Sequence, residues 1–217
     1  MQVRTFTGGG FGENAYLAVC ESSGACVAID PGADAPRLVR AIESEGFDLR
    51  AVLLTHAHLD HIEGVGVVRD FAPEVAIWLH PDDLQLYRRL PESAAYFGLQ
   101  MEAQPEPTDW LEPGQRFEFG ECTFDVRFAP GHAPGHVIFV EADAGIAFVG
   151  DVVFQGSIGR TDLPGGDFQT LMKSIREEVL TLPDETMLYT GHGPATTVGR
   201  ERAMNPFLVQ LQGGELA

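Results

Sequence analysis

Thr55-His56-Ala57-His58-Leu59-Asp60-His61 decides how the chain is read. Three of the seven histidines and one aspartate fall between positions 56 and 61, directly after the apolar run Ala51-Val52-Leu53-Leu54. A short run that is apolar throughout and bounded by polar residues predicts a buried strand. At a strand end, residues two apart point to the same side, so His56 and His58 converge on one point. Asp60 and His61 lie where the chain must turn, facing a second point nearby. Imidazole nitrogen and carboxylate oxygen are the donors that a borderline divalent metal prefers. The plainer reading is a polar loop with surface histidines, and the density of donors beside a buried strand argues against it. The stretch reads as a metal site.

Upstream, residues 3–6, 14–19 and 26–29 are short β-type segments separated by turn-rich pieces. Gly8-Gly9-Gly10-Phe11-Gly12 joins the first two. Position 13 is Glu, so the G-x-G-x-x-G nucleotide pattern fails and a hairpin connection is expected, one able to close over a site. Asp30, in Asp30-Pro31-Gly32, is either an acceptor behind a ligand histidine or a turn residue. Asp34 is placed to cap a helix with Pro36 in its first turn, Leu38, Val39 and Ile42 on one face, and Gly46 as its stop.

Downstream, a helix is expected over 61–71 and a strand over 75–79. His80 reads as a structural histidine ahead of a helix start at Pro81-Asp82-Asp83. Residues 91–115, rich in Pro, Glu and Gln, are either a mobile loop flanking the site or a surface connection. Strands over 117–119, 122–128, 137–140 and 146–149 are spaced as an antiparallel meander. Asp167 caps a helix with Phe168, Leu171, Met172, Ile175 and Val179 on one face. A last strand, 187–190, leads into Gly191-His192-Gly193-Pro194.

Strands and a helix, then strands and a helix again, without βαβα alternation, predict an α/β fold that is not one parallel sheet. Two mixed sheets packed face to face with helices outside fit the order, in one domain spanning 1–217. Three more strand ends each deliver a potential ligand after a glycine: His132, Asp151 and His192. With His56, His58, Asp60 and His61 they make a donor set too large for one tetrahedral ion. Two metals sharing a bridging carboxylate suit it.

Composition narrows the chemistry. Net charge is −18, which argues against a nucleic-acid partner because phosphates must be met by Lys and Arg. No apolar stretch approaches the ~20 residues a membrane span needs, and the start of the chain lacks a signal-peptide pattern, so a cytoplasmic protein is expected. The three cysteines, Cys20, Cys26 and Cys122, show no CxxC spacing and read as buried reduced thiols. With so few cations, Arg160 stands out as either a bidentate clamp for a substrate carboxylate or a salt bridge to Asp162 or Asp167.

The motifs together resemble those of the metallo-β-lactamase superfamily: Thr55 to His61, Pro130-Gly131-His132-Ala133-Pro134-Gly135-His136, Gly150-Asp151 and Gly191-His192-Gly193-Pro194. The resemblance runs from about residue 3 to 205 and implies the four-layer αβ/βα sandwich. By that likeness His56, His58 and His132 hold one metal, Asp60, His61 and His192 the other, and Asp151 bridges them. His136 matches a position with a structural rather than a ligand role. Within the superfamily the pattern is most similar to glyoxalase II, above all its short bacterial relatives, on the stretch Gly156-Ser157-Ile158-Gly159-Arg160-Thr161-Asp162-Leu163-Pro164-Gly165-Gly166-Asp167. The helical region that helps full-length glyoxalase II hold glutathione is expected to be absent or vestigial.

The resemblance implies a hydrolase of a small acyl-thiol, S-lactoylglutathione or a relative, with Asp60 and Asp151 as catalytic groups. The cofactor is two divalent ions, zinc first, with iron or manganese accepted by the same donors. Monomer and homodimer both fit, with no nucleic-acid or membrane partner. The nearest rival is a persulfide dioxygenase-like protein, with one iron on His56, His132 and Asp151; that family also carries Gly-Arg-Thr-Asp. Here Leu163-Pro164 stands where Phe-Gln is expected in that family. A non-catalytic metal-binding module is the reading from a different class.

Overall fold

The computed structural model describes residues 1–212. Its first half builds one six-stranded sheet from β1 (Gln2–Gly8), β2 (Glu13–Val19), β3 (Ala25–Ile29), β4 (Asp48–Leu53), β5 (Ala76–Leu79) and β6 (Asp109–Trp110). The strands lie in chain order, antiparallel from β1 to β3 and parallel from β3 to β6. The helices α1 (Ala35–Glu45), α2 (Leu59–Ile62), α3 (Val65–Phe71), α4 (Leu84–Arg88) and α5 (Leu90–Tyr96) fill the connections.

The second half builds another six-stranded sheet, in the order β14-β13-β10-β9-β8-β7. Its members are β7 (Arg116–Phe119), β8 (Cys122–Phe128), β9 (Val137–Glu141), β10 (Ile146–Gly150), β13 (Met187–Thr190) and β14 (Thr196–Thr197). The four strands expected as a meander are one, each antiparallel to the next. A small hairpin of β11 (Val153–Phe154) and β12 (Ser157–Ile158) stands beside the sheet. The helices α6 (Phe168–Ser174), α7 (Val198–Met204) and α8 (Pro206–Gln212) belong to this half, α6 running on through a π-helical turn at Ile175–Val179.

Strand periodicity sorts the core into three apolar layers. Along β2, Ala15, Leu17 and Val19 face the layer that holds Leu38 and Ile42 of α1 and Val65 and Val68 of α3. Tyr16 and Ala18 face the opposite way, between the sheets, with Phe124, Phe139 and Phe148. Along β9, Val137 and Phe139 share that middle layer, while Ile138 and Val140 turn to Leu171, Met172 and Ile175 beneath the second sheet. A strand buried on both faces cannot alternate apolar and polar, which is why these strands read as continuous apolar runs. The result is the four-layer αβ/βα sandwich. Among the described residues no helix is long and apolar enough to cross a membrane.

Local expectations meet three corrections. Asp34 sits at the start of α1 but its side chain caps nothing; Oδ2 instead accepts from Arg37 Nη1 at 2.7 Å. The helix expected over 61–71 is two, broken at Gly64. There the Gly64 N–H donates to Pro31 O at 2.8 Å, and an added Cβ would lie 2.2 Å from Gly32 O. Residues 91–115 are more than a loop. Helix α5 opens the stretch, and donation from Tyr87 to Pro105 O and from Gly66 to Gln104 Oε1 ties down its middle. Phe97 packs edge-on to Phe11, so the stretch reaches the glycine-rich hairpin.

Candidate metal centre

Four strand ends deliver seven donors to one place. β4 ends before Thr55 and His56, β8 before His132, β10 before Asp151 and β13 before His192. His56, His58 and His132 turn one ring nitrogen each to a common point, all within 4.8 Å of one another; a carboxylate oxygen of Asp60 and one ring nitrogen each of His61 and His192 gather as closely at a second point. Asp151 stands between them. Its Oδ1 is 3.4 Å from His61 Nε2, and its Oδ2 is 3.3 Å from His132 Nε2 and 3.5 Å from His192 Nε2. His192 Nε2 is also 3.3 Å from Asp60 Oδ2.

Hydrogen bonds on the far side of each ring decide which nitrogen looks inward. Thr55 Oγ1 donates to Asp30 Oδ2 at 2.6 Å, so it must accept from His56 Nδ1, 3.0 Å away. His61 Nδ1 donates to the same Asp30 oxygen at 3.0 Å, His132 Nδ1 to Arg160 O at 2.8 Å, and His192 Nδ1 to Phe11 O at 3.2 Å. Each of these four rings thereby turns Nε2 to the centre. His58 alone turns Nδ1 inward, 2.7 Å from His132 Nε2.

Lone pairs and carboxylates that converge need a cation. The buried His56 Nε2, His61 Nε2 and Asp151 Oδ1 have no hydrogen-bond partner, a costly state unless an ion satisfies them. The residues therefore fit divalent metal. A third cluster, Asp30 with His56 and His61, is also close enough for ligation. Its carboxylate is already committed, since Oδ1 accepts from Thr55 N at 2.7 Å while Oδ2 takes Thr55 Oγ1 and His61. Of the two roles open to Asp30, the structure gives it the acceptor behind the histidine.

Charge divides the cluster. Burial drives His58 down to about 3 and holds His56 and His132 low as well. Against burial, Asp151 and Asp60 push His61 well up and His192 up to about 10. Asp151 stays well below the usual carboxylate range despite burial, because His61, His192 and His132 surround it.

Glycines before the ligands serve two purposes. Gly150 has φ 47°, the left-handed turn that leads into Asp151. Gly191 supplies room instead: a Cβ there would lie 2.0 Å from Asp151 Oδ1. From the first sheet, Asn14 Nδ2 donates to Thr190 O and Gly193 O at 3.0 and 2.8 Å, pinning the His192 loop to β2.

Comparison with known proteins decides the family. The model of the metallo-β-lactamase superfamily matches residues 8–192. The chain belongs to the metallo-β-lactamase superfamily. Within that superfamily it is 40% identical over 200 residues to hydroxyacylglutathione hydrolase GloC of Haemophilus influenzae, covering 91% of this chain and 93% of that protein. Among solved structures of the superfamily it is similar to BLEG-1 B3 metallo-β-lactamase, with TM-score 0.89 and 37% identity over 95% of this chain and 99% of that one. It is also similar to TTHA1623 in a di-iron-bound form, with TM-score 0.86 and 41% identity over 94% and 100%.

The other expected residues take different places on this superfamily scaffold. His136 stacks on His56 at 4.7 Å, and its Nε2 accepts from Asp151 N at 3.1 Å, a structural role. His80 lies apart, stacked on Phe128. The Arg160 guanidinium is exposed and paired bidentately with Asp162, both contacts 2.7 Å; what reaches the centre is its carbonyl. Two buried acids escaped the sequence reading. Asp83 accepts from Ala57 N at 2.9 Å and Gly135 N at 2.5 Å, joining both histidine-bearing loops, and burial raises its carboxyl to about 6. In the sequence it is the second of two aspartates at a helix start, with nothing to set it apart from exposed Asp82. Glu13, buried at the head of β2, has neither oxygen bonded and is pushed well up by burial.

Proposed function

We propose that this chain is a metal-dependent thioester hydrolase of the glyoxalase II type, acting on S-lactoylglutathione or a related acyl-thiol. The observation that carries the reading is Asp151, whose carboxylate faces ring nitrogens from both triplets, so that one acid would serve two adjacent ions. Similarity to GloC over nine-tenths of both chains supports the acyl-glutathione chemistry in particular.

In this reading His56, His58 and His132 would hold one ion, Asp60, His61 and His192 the other, and Asp151 both. Bound there, the pair supplies a Lewis acid for a thioester carbonyl and lowers the pKa of a water to ~7. The protein's own groups do the rest. Asp30, Thr55, Arg160 O and Phe11 O hold His56, His61, His132 and His192 with Nε2 turned inward before substrate arrives. Asp60, 3.3 Å from His192, accepts an O–H of the attacking water and orients it. The leaving thiolate needs no strong acid, because a thiol pKa near ~8.5 makes it a good leaving group. Arg160 meets a substrate carboxylate by exchanging it for Asp162.

Likeness to BLEG-1 favours β-lactam hydrolysis as a second reading. One panel separates them. Protein reconstituted with zinc, iron or manganese is given S-lactoylglutathione, other acyl-thiols and a β-lactam, with metal content measured alongside. Thioester turnover that tracks metal content is the expected result. Turnover of the β-lactam alone favours the second reading, and inactivity of the fully loaded protein on all of them overturns both.

A further inference from the structure

Two thiols with no part in the metal centre meet at the far end of the sandwich. β2 starts at Glu13, which is bridged to His192, so Cys20, just past its other end, lies a full strand away from the centre. Cys122 opens β8 of the opposite sheet, and both side chains pack in the apolar layer between the sheets. Cys20 Sγ accepts the Glu121 N–H at 3.3 Å, which sets it one residue from Cys122, and lies 3.3 Å from Ser22 Oγ. A Cβ added at Gly120 would lie 3.1 Å from Cys20 Sγ, so the thiol sits against the tight β7–β8 turn, across which Cys122 pairs with Phe119. Their cover is thin, since Glu21, Ser22, Ser23, Gly120 and Glu121 are all exposed and Cys122 is half-buried.

The pair is chemically unequal. Burial opposes ionisation of Cys20, but Ser22, Ser23, the Glu121 N–H and Cys122 bring it down to about 6. Burial and the neighbouring Cys20 push Cys122 up to about 12. A thiolate beside a protonated thiol is the arrangement of an attacking and a resolving cysteine. Cys26 differs: fully buried in the layer under the helices, it is pushed by burial to about 12, with no second cysteine beside it.

We infer that Cys20 and Cys122 are a peroxide-oxidisable dithiol that closes to a disulfide tying β2 of one sheet to β8 of the other. The oxidant is a small hydroperoxide, because Cys20 is shielded from anything the size of glutathione disulfide. Cys20 sulfur attacks the terminal peroxide oxygen; an S–O bond forms, the O–O bond breaks, and the departing oxygen takes a proton and leaves as water from hydrogen peroxide, or as the alcohol from an organic hydroperoxide. Cys122 sulfur then attacks the sulfenic sulfur; the S–S bond forms, the S–O bond breaks, and the hydroxyl leaves as water with the Cys122 proton. Two electrons pass from the thiol pair to the peroxide.

The test uses the whole zinc-loaded chain and does not depend on the hydrolase reading. After treatment with equimolar hydrogen peroxide, peptide mapping is expected to find Cys20 joined to Cys122, a mass lower by about 2 Da, and Cys26 still free to alkylate after unfolding. Dithiothreitol reverses the link. The oxidised form melts higher, by roughly 5 °C or more, since a long loop is closed. In Cys122→Ser, dimedone traps a sulfenic acid on Cys20. Finding Cys20 and Cys122 both alkylated in peroxide-treated wild-type protein, or a link through Cys26, overturns the inference.

Discussion

His61 Nδ1 stands 3.0 Å from Oδ2 of Asp30, and the same oxygen takes the Thr55 hydroxyl that in turn accepts from His56. One carboxylate thus sets the tautomer of two rings that face different triplets. Asp30 reaches both from a φ of 48°, a left-handed conformation that aspartate tolerates better than most residues. Asp30→Asn puts an amide donor where acceptors are needed. Metal affinity is expected to fall about 10- to 100-fold with the fold intact, read by chelator competition. Wild-type affinity in that variant would show that Asp30 is merely a turn residue.

Asp151→Ala removes the one side chain that touches His61, His132 and His192 together. Circular dichroism should remain native while metal content and most hydrolysis are lost, and His58→Ala should do the same. Full occupancy of both ions in Asp151→Ala would refute its shared position.

Proton release on metal binding follows from the charge that the ligand cluster carries without metal. Burial opposes it, yet Asp151 and Asp60 push His61 well above the ordinary imidazole value and hold His192 up to about 10. Ligation needs the bare lone pair, so those protons must leave and affinity must climb as pH rises. Calorimetry at pH 7 in buffers of different ionisation enthalpy is expected to report at least one proton released per protein. In the metal-free protein the sign reverses for stability. The raised His192 pKa stabilises the fold fully below the ordinary imidazole value of about 6.5, and that contribution fades as pH climbs through about 10.

Asp83 joins the loop of His56 and His58 to that of His132 through Ala57 N and Gly135 N. Asp83→Ala strands two buried N–H groups, a loss of about 2–4 kcal/mol in the metal-free protein by urea unfolding. A loss under half that size would mean water takes its place.

Arg160→Ala tests the clamp. For a carboxylate-bearing thioester KM should rise about tenfold with kcat little changed, while a neutral acyl-thiol is unaffected, because one charged contact contributes on the order of 1.5–3 kcal/mol. Equal effects on both substrates would leave Arg160 only its pairing with Asp162.

The chain's local chemistry was legible where a residue's role is set by its neighbours in sequence. The apolar run before Thr55, the order of strands and helices and the ligand after each strand end announced two mixed sheets and the seven donors. Asp167 was read correctly as a cap, for its Oδ1 accepts from Thr170 N three residues on. What the sequence left open depends on residues far apart in the chain. Asp30 is 31 positions from His61, Asp83 is 52 from Gly135, and Cys20 is 101 from Glu121. An acid at a turn looks the same whether it faces water or a histidine, and a cysteine looks the same alone or beside another. Local propensity records the backbone each residue prefers. Only the packing of one sheet on the other decides what each side chain meets, because burial, tautomer and charge are set by neighbours that the chain supplies from a distance.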